Sequence, residues 1–159
     1  MKNIVFEFII QLVLDAKNKE EMPILKALLL LFFICGEDET GELFELFDFY
    51  AQPYGLIEVN MREKFAMDDL ISLRKSESTV IALRNRDPFW IDLLPFNLRL
   101  KIDKIITKLA KTELFEKDSF DLVNLHKQHF SHRYYYKRNG DLSVLVPKEV
   151  LKQEEKYVK

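Results

Sequence analysis

Polar side chains recur every four residues near the start of the chain, at Asn3, Glu7, Gln11 and Asp15, and nearly everything between them is apolar. This spacing predicts a helix with one thin polar stripe and an otherwise buried surface. From Ile24 to Cys35 the only polar residue is Lys26, with Pro23 near the first turn and Gly36 just past the end. Proline at the start and glycine at the end is the order that helix termini favour, so a second, fully buried helix is predicted. Glu42, Glu45 and Asp48 fall three apart among Leu43, Phe44, Leu46, Phe47 and Phe49, predicting a third helix from Glu42 to Tyr50. The chain then turns at Gln52-Pro53-Tyr54-Gly55.

Beyond the turn, Asn60 followed by Glu63 is read as a capping box, with a short helix or two continuing towards Arg74. Thr79 to Leu83 has the composition of a strand, although a buried helical turn reads similarly. Leu98, Ile102, Ile105, Ile106 and Leu109 mark a helix ending near Lys111, and another starts at Asp118 or Ser119 and runs towards Phe130. Asn139-Gly140, between Tyr134–Tyr136 and the alternating Leu142, Val144 and Val146, carries the strongest hairpin signal. Pro147 opens a short last helix. The expected fold class is mainly α, one compact helical domain over residues 1–159 with a small β-hairpin near the C-terminus.

Composition fits that picture. With 159 residues and 48% apolar side chains, the chain has the size and core of one domain. Thirteen Phe and six Tyr against four Gly and five Pro predict order almost throughout. The single cysteine, Cys35, excludes an internal disulfide and a cysteine-only zinc site and suits a reducing, cytoplasmic setting. The apolar runs 4–14 and 24–35 are interrupted and fall short of the roughly 20 residues that cross a bilayer. Neither reads as a signal peptide, so no membrane association and no targeting segment is expected.

Charge is uneven. Up to Asn60 there are 11 acidic and 4 basic residues; beyond it, 15 acidic and 20 basic. Glu37, Asp38, Glu39, Glu42, Glu45 and Asp48 form an acidic stretch with no intervening base, which would repel phosphate backbones and attract a basic partner. A solvated helix start is the commoner meaning of such a run.

Little in the sequence points to catalysis. His126, His129 and His132 lie within about 120° of one helix face, close enough for two to share a metal ion. Convergent carboxylate or thiolate ligands are missing from the pattern, so helix histidines without a metal are the expected reading. Cys35 is embedded in apolar residues, no G-x-S-x-G elbow occurs, and four glycines build no phosphate loop. The pairs Asp68-Asp69 and Glu154-Glu155 are adjacent and so do not face each other on a helix. Arg133-Tyr134-Tyr135-Tyr136-Lys137-Arg138 mixes aromatics and bases as single-strand binders do. The pI near 6.0 argues against a dedicated nucleic-acid domain, and Tyr and Arg also dominate protein interfaces.

The order of these features resembles the Panacea antitoxin domain, also called SocA-like. The likeness begins at the Ile24–Cys35 and Glu42–Tyr50 segments and reaches Tyr50-Ala51-Gln52-Pro53-Tyr54-Gly55-Leu56-Ile57-Glu58, which is similar to the family's aromatic-Gly-Pro-Val turn. It resumes at Ile102–Leu109 and at Phe120-Asp121-Leu122-Val123-Asn124-Leu125-His126, which looks like the family's Leu-rich helix ending in His. The match is strongest over residues 24–130, about two-thirds of the chain. Leu56 stands where the family commonly has Pro, and the family's Trp beyond the His is missing here.

The resemblance implies a mostly helical bacterial or mobile-element protein that neutralises a cognate toxin by binding it. Some members instead deliver the toxin to a protease or its unfoldase. No cofactor is implied. The expected function is therefore a non-catalytic protein-binding module, with Tyr54, Gly55 and Glu58 on the turn and His126, Tyr134 and Tyr135 as candidate partner-binding positions. For each, a purely structural role is an equal alternative: Gly55 for a tight turn, His126 for capping or packing. The rival function is a nucleic-acid-associated regulator using the basic, Tyr-rich end, and an enzyme of unknown type ranks third.

Overall fold

An all-round apolar helix has to sit inside, and α2 (Ile24–Gly36) does: every residue from Ala27 to Cys35 is buried. The structure, a computed structural model, describes residues 1–67, 70–77, 79–83, 92–138 and 143–159. Around α2 lie α1 (Lys2–Ala16), α3 (Glu42–Leu46), α4 (Val59–Ala66), α5 (Phe96–Ala110), α6 (Ser119–Lys127), α7 (Phe130–Arg138) and α8 (Lys148–Leu151). α5 buries Leu98, Ile102, Ile105, Ile106 and Leu109, the face its periodicity predicts, and packs on α1. Asp118 caps α6 by accepting the Asp121 N–H at 2.8 Å. No helix among the described residues is long and apolar enough to cross a membrane.

The mainly-α expectation is corrected by two three-stranded antiparallel sheets, which make the fold α+β. In one, β5 (Val80–Leu83) lies between β1 (Glu21–Pro23) and β4 (Leu73–Glu77); in the other, β2 (Phe49–Gln52) lies between β3 (Gly55–Glu58) and β6 (Val144–Leu145). The helix expected over Glu42–Tyr50 ends at Leu46, where Phe47 turns extended (φ −117°, ψ 148°) and the chain enters β2. A strand covered on both faces is a continuous apolar run, which periodicity cannot separate from a buried helix. β3 is such a strand, buried at all four residues. The capping box at Asn60 is likewise displaced: Glu58 caps α4, accepting the Asn60 N–H at 2.8 Å. The helix expected towards Arg74 stops at Ala66, and Arg74 stands in β4, whose charged residues suit the sheet edge it occupies.

The predicted C-terminal hairpin is also corrected. Tyr134, Tyr135 and Tyr136 belong to α7, and Val144–Leu145 pairs with Tyr50 and Ala51 of β2 instead. Asn139-Gly140 and Asp68-Asp69 lie outside the described residues. Alternation marks a strand but says nothing of its partner.

Glu7 shows why the polar stripe of α1 is not a solvent face. Its side chain is buried, and its carboxylate accepts the N–H groups of Ile71 (2.9 Å), Ser72 (2.7 Å) and Leu73 (3.1 Å), fixing the entry to β4. Removing it strands these donors, so Glu7→Ala is expected to cost about 3 kcal/mol in urea denaturation, and Glu7→Gln, which keeps an acceptor oxygen, less. Equal midpoints for Glu7→Ala and the parent chain would refute this role.

Candidate functional site

β2 and β3 form a hairpin whose two-residue turn, Pro53-Tyr54, is set by the pairing of Gln52 with Gly55. Both strands are tied to histidines. His126, on α6 and fully buried, accepts the Leu56 N–H at Nδ1 (2.9 Å) and donates from Nε2 to the Leu29 carbonyl of α2 (2.8 Å). One neutral ring thus joins α6, α2 and β3. Burial pushes its pKa down to about 3, the neighbouring His129 and His132 adding to the effect against the opposing Leu29 hydrogen bond. Phe32 and Phe33 flank it at 5.2 and 5.0 Å between ring centres.

Gly55 makes this approach feasible. Its φ is +140°, and a Cβ there would stand 2.8 Å from His126 Nδ1 and 2.9 Å from Leu29 Cδ2. The N–H at 56 matters equally, because a proline there could not donate to His126.

The other strand is held by His132, which donates from Nε2 to the Gln52 carbonyl at 2.6 Å and carries Tyr136 stacked on its ring. The Gln52 side chain donates to Ser143 Oγ at 3.0 Å and accepts from an Arg62 N–H at 2.7 Å. Glu58, at the far end of β3, is buried but compensated: it accepts the Asp48 and Asn60 N–H groups and pairs with Lys2 at 2.7 Å.

The hairpin so fixed forms one wall of a cleft of about 530 Å³, with the start of α2, α4 and the β4–β5 sheet as its other walls. Leu25, Leu28, Ile57 and Phe65 give it an apolar lining, while Tyr54, 60% exposed, and Arg62 stand at its rim. An open apolar trench edged by Tyr and Arg has the make-up of a protein-interface anchor site.

The six sequence candidates divide accordingly. Tyr54 edges the cleft. Gly55 and His126 meet beneath the hairpin, and Glu58 is buried beyond them, so a partner resting on the surface reaches none of the three. Tyr134 is exposed on α7 and stacks on Phe130, whereas Tyr135 is half-buried against the core. α7 lies outside the cleft lining. Arg62 and Gln52 were not singled out by the sequence, since both stand in ordinary polar positions of their elements.

The histidine cluster is committed to structure: both nitrogens of His126 are bonded, His132 serves Gln52, and His129 Nδ1 donates to the Leu125 carbonyl one turn back. Among the described residues no three His, Cys, Asp or Glu side chains are grouped to hold a metal. Cys35 is fully buried, and burial together with Asp38 and Glu58 raises its thiol pKa well above the ordinary value, so the thiolate nucleophile is suppressed.

The acidic stretch does not present a bare negative face either. Glu37 pairs with Lys108, Asp38 and Glu42 with Lys101, Glu39 with Lys156, Glu45 with Lys152, and Asp48 with Lys2 and Lys148. The lysines come from distant segments, which one-dimensional counting cannot bring together. Compared with family models, curated proteins and solved structures, the chain matches none.

Proposed function

We propose that this chain is a non-catalytic, protein-binding module of antitoxin type, working in the cytoplasm, and that the cleft beneath Tyr54 receives its partner. The observation that carries the reading is the open apolar cleft whose rim is formed by Tyr54 and Arg62 and whose wall is a hairpin braced by two buried histidines. Rigid mounting lowers the ordering cost of binding. The resemblance of residues 24–130 to the Panacea domain supports a toxin as the partner, neutralised by direct contact or handed to a protease. The neutral, doubly bonded His126 and the suppressed Cys35 thiolate favour binding over catalysis.

Expressed alone, the product of the neighbouring gene should arrest growth, and co-expression of this chain should restore it through a complex that co-purifies. Tyr54→Ala should weaken that complex by about 1–3 kcal/mol while leaving the melting temperature unchanged, because the ring is largely exposed. A harmless neighbour that does not co-purify overturns the reading.

A further inference from the structure

The charged groups at the cleft, among the described residues, are of one sign. Arg62 and Lys75 are its charged lining residues among those described, and none of the described lining residues is acidic. α2 starts there with Pro23 as N-cap and no acidic residue in its first turn; its Ile24 N–H is taken by the Thr79 carbonyl at 2.8 Å, and no side chain caps the N–H groups that follow. Arg62 makes one hydrogen bond, to Gln52 Oε1, and no ion pair among the described residues. Its guanidinium carries five N–H donors, so most remain for a ligand, and the Gln52–Ser143 bond fixes the group that holds it. The contrast with the acidic stretch is direct: each carboxylate there already has its lysine, whereas this guanidinium has no carboxylate among the described residues.

Resting on the protein-binding reading above, we infer that the cleft takes an extended segment of the partner protein, burying an aromatic or branched aliphatic side chain against the open surface of Ile24, Leu25 and Ala66, above a floor of Leu28, Ile57 and Phe65, and placing a neighbouring Asp or Glu carboxylate on Arg62. A small amphiphilic acid shares this chemistry and would fit a cleft of about 530 Å³, so the test includes one as a competitor. Tyr and Arg at the mouth of an apolar trench are the side chains that dominate protein–protein contact energies.

The test uses the full chain, immobilised and panned with a phage-displayed library of random peptides. Enriched peptides should pair an aromatic or branched aliphatic residue with an adjacent or next-but-one Asp or Glu. Their affinity by fluorescence polarisation should fall about tenfold in Arg62→Ala and further in Arg62→Glu, be partly kept in Arg62→Lys, and weaken as salt rises. Melting should stay cooperative in all three, with only the small shift expected from losing the Gln52 bond in Arg62→Ala and Arg62→Glu, since Arg62 is exposed. Failure to enrich any peptide, enrichment without acidic residues, or equal binding by Arg62→Glu overturns the inference. So does decanoate binding as tightly as the peptides and displacing them, which would make the ligand a small carboxylate. If the neighbouring gene's product still co-purifies with Arg62→Glu, protein binding stands and this cleft chemistry falls. If Arg62-dependent peptides are found and the neighbour never co-purifies, the reverse holds.

Discussion

Gly55→Ala should lower stability by about 3–5 kcal/mol, the sum of a left-handed backbone forced on a residue with a Cβ and of an overpacked contact. The methyl carbon would arrive 2.8 Å from His126 Nδ1 and 2.9 Å from both His126 Cγ and Leu29 Cδ2, on a backbone at φ +140°. Nothing nearby yields cheaply, because His126 is locked by bonds to Leu56 and Leu29 and wedged between Phe32 and Phe33. For a chain of this size the melting temperature should drop by roughly 10 °C. His126→Ala, which removes the ring the methyl would strike, should cost several kcal/mol alone but combine with Gly55→Ala for less than the sum, since directly touching residues couple. Strict additivity would refute the contact.

Acid should destabilise the protein earlier than its carboxylates alone would allow. The unfolded imidazole of His126 titrates near 6.5, while the folded one, desolvated and bonded at both nitrogens, stays neutral to about 3. The unfolded state therefore binds the extra proton. The stability conferred by His126 is complete above pH 6.5 and is lost as pH falls towards 3, at up to about 1.4 kcal/mol per pH unit. His132, whose pKa burial also lowers, acts in the same sense. The carboxylates of Asp38 and Asp48 have lowered pKa values, because hydrogen bonds and lysines outweigh the opposing effect of burial, so their stabilising effect is present above the unfolded value of 3.8 and is lost only as pH falls below it, after most of the histidine effect. Urea midpoints should thus decline between pH 6.5 and 4.5 in the parent chain and decline less steeply in His126→Phe. Parallel slopes would show that His126 does not titrate on unfolding.

What the sequence made legible was burial. The all-round apolar α2, the periodic face of α5 and the Asp118 cap are local signals, and they hold in the structure. β2 and β3 were hidden because strands buried on both faces carry no alternation, so Phe49 read as helix and Leu56–Glu58 as turn. The His126 ring finds its partners 70 and 97 residues away, and no local pattern records that. Tyr54 was identified from its turn, but Arg62, its neighbour across the cleft, looked like any exposed helix position. The pairing of the acidic stretch was hidden for a similar reason: charge along the chain was visible, but the lysines that pair with it come from both ends of the sequence and from α5.

A partner protein seated in the cleft braced by His126 and His132 should leave its footprint in hydrogen exchange of the co-purified complex against the free chain. Exchange should slow in the first turns of α2, at residues 54–57 of the hairpin and along α4, with α7 unchanged. Slowing confined to α7 or to the exposed face of α5, with the cleft amides exchanging as in the free chain, would rule out binding in the cleft.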